Sequence, residues 1–240
     1  MLDVISPFPY VVTTGVVAAL GVGACLAARR HPGPTARSAA RVFAVALVVD
    51  ASAWWLVVVP RRGDWSVAGS LPLALCNMAI FVVAAACWWQ TPLLVELTWF
   101  WGLAGALQAL LTPDLTNPFP QPEFFQYTVG HLAVVIAACY LVLGLRITPR
   151  PGAVWRVFGL TVGYTAAVGL VDALSGANYM FLRSPPGSWT LLALLGPWPW
   201  YLLTASALAL GLLALLNLPF WLARRADHAQ EPRAPVPRTA

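Results

Sequence analysis

The chain has 240 residues, of which 60% are hydrophobic and only 10% are charged. With a mean hydropathy of +0.74, this composition excludes a soluble protein with a core of ordinary size and indicates an integral membrane protein. The net charge of +5 comes from fourteen arginines and no lysine. These arginines lie beside apolar runs, so they indicate membrane topology and give little support to nucleic-acid binding.

Seven runs are long and apolar enough to cross a hydrocarbon layer, which takes about twenty residues of helix. They cover residues 10–28, 42–60, 70–88, 93–112, 124–145, 154–174 and 198–220. The runs are continuous and lack the alternating polarity of membrane strands. The sequence therefore predicts an all-α, polytopic membrane helix bundle that fills residues 1–223 as one domain. The polar, Pro-rich residues 224–240 predict a disordered cytoplasmic tail.

The distribution of arginine predicts the orientation of the bundle. The first nine residues contain Asp3 and no basic residue, which is not typical of a cleavable signal sequence. Eleven arginines fall in one set of loops and in the tail, whereas Arg61, Arg62 and Arg183 fall on the other side. The positive-inside rule then places the N-terminus outside and the C-terminus in the cytoplasm. We expect a multi-pass protein of the bacterial cell membrane, in contact with lipids and of undetermined oligomeric state.

Two acidic residues lie within the second and fourth predicted helices. Asp50 is near the middle of helix two, and Glu96 is in the inner part of helix four. Acidic groups in a membrane mark candidate proton or cation paths. The plainer interpretations are a hydrogen bond to a neighbouring helix for Asp50 and a position at the cytoplasmic interface for Glu96.

The four cysteines all lie in predicted helices, without CxxC spacing or an accompanying pair of histidines. The sequence therefore predicts no zinc site, no other metal site and no cofactor. A single helical cysteine usually packs as a small hydrophobe. Cys76, in helix three, is the exception to examine because of its depth.

His131 is the only histidine inside an apolar run, and a titratable ring in hydrocarbon is by default a functional-site hypothesis. It lies about eight residues below the outer start of helix five, and Cys76 lies about seven below the start of helix three. Both are therefore expected roughly 10 Å under the outer surface. Gln108 and Asp172 approach the same level from below. The plainer interpretation of His131 is an interhelical hydrogen bond.

These groups form a candidate catalytic site. A thiol such as Cys76 needs a base, which His131 could supply. Asp172, Gln108 or Asp114 could orient the imidazole. The outer loop adds Tyr179 to the cavity, and the candidate oxyanion donors are Asn77, Asn178, Trp198 and Trp200. The site would suit acyl transfer or acyl hydrolysis on a lipid. The alternative is a non-enzymatic protein that binds or transports a small solute or lipid, with Asp50, Glu96 and His131 lining its polar cavity.

Ordered sequence blocks between about residues 70 and 205 resemble a known family. The blocks are LPLALCNMAIF, FWGLAGALQALLTPDL, FFQYTVGH, NYMFL and LLGPWPWYLL. Together they resemble the YwaF-type family of bacterial integral membrane proteins. The resemblance implies a multi-helix membrane protein with animal relatives similar to lipid acyltransferases that use a Cys and a His.

The same resemblance assigns roles to individual positions. His131 falls on the family's helix-five histidine. The animal relatives carry their nucleophile directly after the proline of the helix-three motif, with a histidine beside it, and here those positions are Leu73 and Ala74. Cys76 follows Leu73 by three residues, which on a helix is one turn along the same face.

Overall fold

The computed structural model describes residues 7–61, 63, 65–111, 113, 119–185 and 194–230, and all regular structure in this part of the chain is helical. A short 3₁₀ turn at Tyr179–Phe181 lies between the last two long helices. The seven long helices are α1 (Pro7–Arg30), α2 (Pro34–Arg61), α3 (Leu75–Trp89), α4 (Pro92–Leu111), α5 (Pro122–Gly144), α6 (Ala153–Ser175) and α7 (Trp200–Gln230). The predicted all-α polytopic bundle is confirmed.

Six of these helices are long and apolar enough to cross a membrane, whereas α3 has only 15 residues. The third apolar run was predicted to be helical from residue 70, but α3 begins at Leu75. Two tyrosines explain the later start, because they bind the backbone that precedes it. The Tyr179 hydroxyl accepts from the Leu71 N–H at 2.9 Å, and the Tyr164 hydroxyl donates to the Leu73 carbonyl at 2.8 Å.

Proline and residues of positive φ mark the helix boundaries. Pro34, Pro92 and Pro122 occupy the first helical positions of α2, α4 and α5, where a missing N–H costs nothing. Gln90 ends α3 in the left-handed conformation at φ 53°, with its backbone N–H bound to the Ala86 carbonyl. Gly176 ends α6 in the same way. The connections α1–α2 (residues 31–33) and α3–α4 (residues 90–91) are therefore short.

Three helices contain a π-helical turn, at Trp54–Val58 in α2, Gly102–Ala106 in α4 and Tyr140–Gly144 in α5. Each π turn inserts one extra residue and rotates the following side chains relative to an unbroken α-helix. Hydropathy cannot reveal this rotation, because the inserted residues are as apolar as their neighbours.

Helices α3, α4 and α5 form the centre of the bundle. In α4 and α5, 56% of the residues in the most apolar 18-residue stretch are buried, whereas in α1 and α7 only 11% of these residues are buried. Around this centre α1 packs along α5, α2 along α3, and α6 and α7 along α4. The four outer helices therefore present their remaining apolar surface to lipid.

The two ends of the bundle differ in composition. The chain enters α1 at one end, called here the N-terminal end, and leaves α7 at the opposite C-terminal end. Arginines 29, 30, 37, 41, 146, 150, 156, 224 and 225 lie at the C-terminal end. The arginine bias that predicts the cytoplasmic side therefore applies to the C-terminal end of this bundle.

The end of the chain differs from the predicted tail. Helix α7 continues to Gln230, so residues 224–230 are helical where disorder was predicted. Its last two turns are rich in alanine and arginine, which have high helix propensity. Residues 231–240 lie outside the described part of the chain.

The contact between α1 and α5 gives a first prediction. A Cβ atom built on Gly21 would lie 2.5 Å from Cγ1 of Ile136 in α5, whereas one built on Gly23 meets nothing within 4 Å. We expect Gly21→Val to force α1 away from α5 and to lower stability by about 1–3 kcal/mol, the usual cost of overpacking. Gly23→Val, two residues away, is the matched control. Thermal unfolding of the detergent-solubilised variants measures the difference, and equal midpoints would contradict this packing.

Candidate functional site

A small cavity lies between α3, α4 and α5 near the N-terminal end of the bundle. Its volume of about 10 Å³ leaves room for about one water molecule. The lining residues come from α3 (Cys76, Asn77, Ile80), α4 (Ala106) and α5 (Gln126, Gly130, His131, Val134). The thiol and the imidazole that the sequence placed at equal depth thus border one cavity.

Cys76 occupies the second position of α3, because Ala74 is the N-cap and Leu75 the first helical residue. The first intrahelical bond of α3 runs from the Met78 N–H to the Ala74 carbonyl at 3.0 Å. The preceding amides of Leu75, Cys76 and Asn77 therefore have no acceptor within the helix. The thiol lies in the positive field of the helix terminus.

The late start of α3 corrects the argument that linked Cys76 to Leu73. Leu73 precedes the helix and packs with the cluster of Val168, Ala177 and Tyr179. The two residues are therefore not one turn apart on a helical face, and Leu73 does not line the cavity. Cys76 is the residue of this motif with a nucleophilic side chain in the cavity wall.

The orientation of His131 is set within its own helix. Its Nδ1 lies 2.7 Å from the Tyr127 carbonyl oxygen. Because a carbonyl only accepts, Nδ1 carries the proton, and the neutral ring keeps Nε2 as its acceptor. The Tyr127 ring packs against the imidazole with centroids 4.4 Å apart and planes tilted by 40°.

Tyr127 is in turn attached to α4. Its hydroxyl donates to the Ala109 carbonyl at 2.8 Å, in the helical turn that follows the π turn at Gly102–Ala106. The same π turn contributes Ala106 to the cavity wall. A continuous set of contacts thus leads from α4 through Tyr127 to the His131 ring.

The glutamine beside the cavity is not the one that the sequence predicted. Gln108 is exposed and does not line the cavity, whereas Gln126 does. Gln126 lies five residues before His131, but the sequence does not show which way either helix is rotated. Asn77, a predicted oxyanion donor, is among the lining residues.

Asp172 and its loop form a separate, structural arrangement. The fully buried Asp172 carboxylate accepts from the Tyr179 N–H at 3.0 Å, so it joins the end of α6 to the 3₁₀ turn and does not contact His131. Tyr179 is buried as well, and its hydroxyl donates to the Val67 carbonyl at 2.7 Å. The Asn178 side chain binds the backbone of Arg183 and Ser184. These residues hold the loop together and do not border the cavity.

The remaining predicted donors also lie away from the cavity. The Trp198 indole donates to the Leu182 carbonyl at 3.0 Å, and Trp200 is 64% exposed at the start of α7. Asp114 lies outside the described residues. The group that orients the imidazole is the Tyr127 carbonyl, which was not among the three expected partners.

Among the described residues, no three His, Cys, Asp or Glu side chains come together as metal ligands. A model of the TMEM164 family matches residues 4–217. The chain belongs to the TMEM164 family. This is a membrane protein family whose name differs from the YwaF-type name that the motifs indicated, and its match also includes α1 and α2. No curated protein and no solved structure matches the chain.

In this TMEM164-family chain, Glu96 is held by hydrogen bonds from two arginines. It is 1% exposed at the start of α4 and accepts from Nε and Nη2 of both Arg150 and Arg156, at 2.8–3.3 Å, and from the Arg150 N–H at 3.0 Å. Hydrogen bonding to this carboxylate raises the pKa of the Arg150 guanidinium. We call this group the Glu96 clamp, and it joins α4, the α5–α6 loop and α6.

The alternative function, binding or transport of a small solute or lipid, was predicted to use a polar cavity lined by Asp50, Glu96 and His131. Glu96 is at the C-terminal end, His131 lines the cavity at the other end, and Asp50 is exposed on the outer face of α2. The three residues do not border one cavity. Within the described part of the chain, the polar cavity that this alternative requires is therefore lined by His131 and not by Asp50 or Glu96.

The Glu96 clamp gives a second prediction. Glu96→Gln removes the negative charge and leaves two guanidinium groups without their shared carboxylate. Because these arginine side chains are 48% and 38% exposed, water can solvate them, and we expect a cost of about 1–2 kcal/mol. We expect a clear fall in the thermal unfolding midpoint in detergent. Asp227→Asn, at an exposed position of α7, is the control and should leave the midpoint unchanged. A Glu96→Gln protein as stable as the wild type would show that the clamp does not support the fold.

Proposed function

We propose that this protein transfers or hydrolyses lipid acyl chains, with Cys76 as nucleophile and His131 as general base. The observation that carries the proposal is the common cavity of the thiol and the imidazole. Nucleophilic catalysis by cysteine needs a base within reach and a group that orients the base. The Tyr127 carbonyl supplies the orientation, because it leaves Nε2 of His131 available to accept a proton.

The proposed reaction has two steps, the acylation of Cys76 and the release of the acyl group. His131 Nε2 takes the thiol proton while Cys76 Sγ attacks the ester carbonyl, and the ester C–O bond then breaks. The imidazolium returns its proton to the leaving oxygen, which yields a lysolipid and an acyl thioester on Cys76. In the second step a lysolipid hydroxyl or water loses its proton to His131 and attacks the thioester, and the thiol is restored.

The start of α3 supplies groups for the oxyanion of each step. The amides of the first turn have no helical acceptor, and backbone N–H groups of this kind stabilise developing negative charge. The Asn77 side chain borders the same cavity from α3, and the Gln126 side chain borders it from α5. An oxyanion formed beside Cys76 would therefore have donors from two helices.

The size of the cavity allows only a small reacting group to enter it. Room for about one water molecule suffices for an ester carbonyl, but an acyl chain must lie outside. On α5, Phe125 is 40% exposed and Val129 is 38% exposed. These side chains offer apolar surface beside the cavity, where lipid tails would be neighbours. The arginine bias predicts that this end of the bundle lies in the outer leaflet.

The third prediction tests the thioester. After incubation with a phospholipid that carries an alkyne-tagged acyl chain, the wild type should acquire a label that hydroxylamine releases. Cys76→Ala should lose this label. Cys87→Ala is the matched control, because Cys87 is on the same helix but is buried outside the cavity. A label that survives in Cys76→Ala, or its absence in the wild type, would refute the proposal.

The fourth prediction tests the base and its support. His131→Gln should slow acylation of Cys76 by at least about 100-fold, the usual contribution of general base catalysis. His31→Gln, at an exposed position between α1 and α2, should have no effect. Tyr127→Phe keeps the ring against His131 but loses the hydroxyl bond to Ala109, so we expect a smaller decrease. Acylation rates measured over a pH series distinguish a lost base from a displaced one.

A further inference from the structure

Asp50 lies at the centre of the α2 span. Arg41 precedes it by nine residues and Arg61 follows it by eleven. At 1.5 Å per residue these arginines are roughly 14 and 16 Å away along the helix, which together equal the thickness of the hydrocarbon layer. Arginines at both interfaces therefore place the Asp50 carboxyl close to the bilayer midplane.

The Asp50 side chain is exposed at the edge of the outer face of α2. The adjacent face of α2, with Ala40, Ala44, Leu47 and Ala51, is buried and packs along α3. Asp50 itself is exposed, and its carboxyl oxygens have no hydrogen-bond or ion-pair partner among the described residues. Lipid tails cannot supply one, so an exposed carboxyl at this depth is costly unless another polar group covers it.

The surface around Asp50 is suited to contact with another helix. Val42, Val45 and Val49 are 70%, 50% and 61% exposed, and Ala46 is exposed one turn before Asp50. Small and β-branched residues permit close approach of two membrane helices and lose little rotamer freedom. We call these four residues and Asp50 the Asp50 face.

We propose that the Asp50 face binds the Asp50 face of a second copy of this chain. Two copies inserted with the same topology are related by a two-fold axis along the membrane normal, so each residue on the axis meets its own counterpart at the same depth. Asp50 then meets Asp50. Two protonated carboxyl groups are self-complementary, since each donates its O–H to the other's carbonyl oxygen. This inference goes beyond the proposed function and does not depend on it.

The proposal is tested by association in lipid. Resonance energy transfer between labelled copies in phosphatidylcholine vesicles, measured over a series of protein-to-lipid ratios, should show dimers of the wild type. Asp50→Leu should weaken dimerisation roughly tenfold, which is the scale of a polar contact between membrane helices. Asp50→Asn should retain it, because two amides are also self-complementary. A monomeric wild type, or an Asp50→Leu protein that dimerises as tightly as the wild type, would overturn the proposal.

Cysteine cross-linking locates the interface independently of its strength. Ala46→Cys on the Asp50 face should form disulfide-linked dimers on mild oxidation in membranes. Leu170→Cys, at a 61% exposed position on α6, should not. Cross-linking at residue 170 but not at residue 46, or cross-linking of residue 46 only to other proteins, would show that a second copy does not cover this face.

Discussion

The close contact between α4 and α5 at Gly102 determines the geometry of the candidate site. A Cβ atom at Gly102 would lie 3.3 Å from Cγ1 of Val134 and 3.4 Å from its carbonyl oxygen, so only glycine allows this approach without displacement. The π turn of α4 begins at the same residue and brings Ala106 into the cavity wall, which Val134 also lines. The contact thus positions α4 against α5 one turn away from His131.

The sequence predicted the spans well, because burying apolar surface in lipid is a property that hydropathy measures directly. It failed where backbone groups have partners outside their own helix. Leu71 and Leu73 are as apolar as the helix that follows, yet two tyrosine hydroxyls bind their backbone and delay the start of α3. These tyrosines are about 100 residues away in sequence, so no local pattern could reveal them.

The candidate site, like the fold, could be predicted from the sequence only in part. Depth follows from topology and residue count, and on that basis the sequence predicted Cys76, His131, Gln108 and Asp172 at one level. Rotation about the helix axis does not follow, because a π turn or a late helix start changes it by a residue. Asp172 was expected beside His131 but faces the loop, while Gln126 lines the cavity. The orienting group is a backbone carbonyl, which every residue possesses and no sequence motif marks.

The two ends of the bundle are held by different forces. At the C-terminal end the Glu96 clamp joins three elements through five hydrogen bonds to one carboxylate, and Arg224 adds a bond from α7 to the Pro149 carbonyl. At the N-terminal end the described bonds to α4 include those from the hydroxyl groups of Tyr10 and Tyr127, which donate to the Leu110 and Ala109 carbonyls. A buried carboxylate therefore fixes the start of α4, whereas tyrosine hydroxyls from α1 and α5 bind the backbone carbonyls of its last turn.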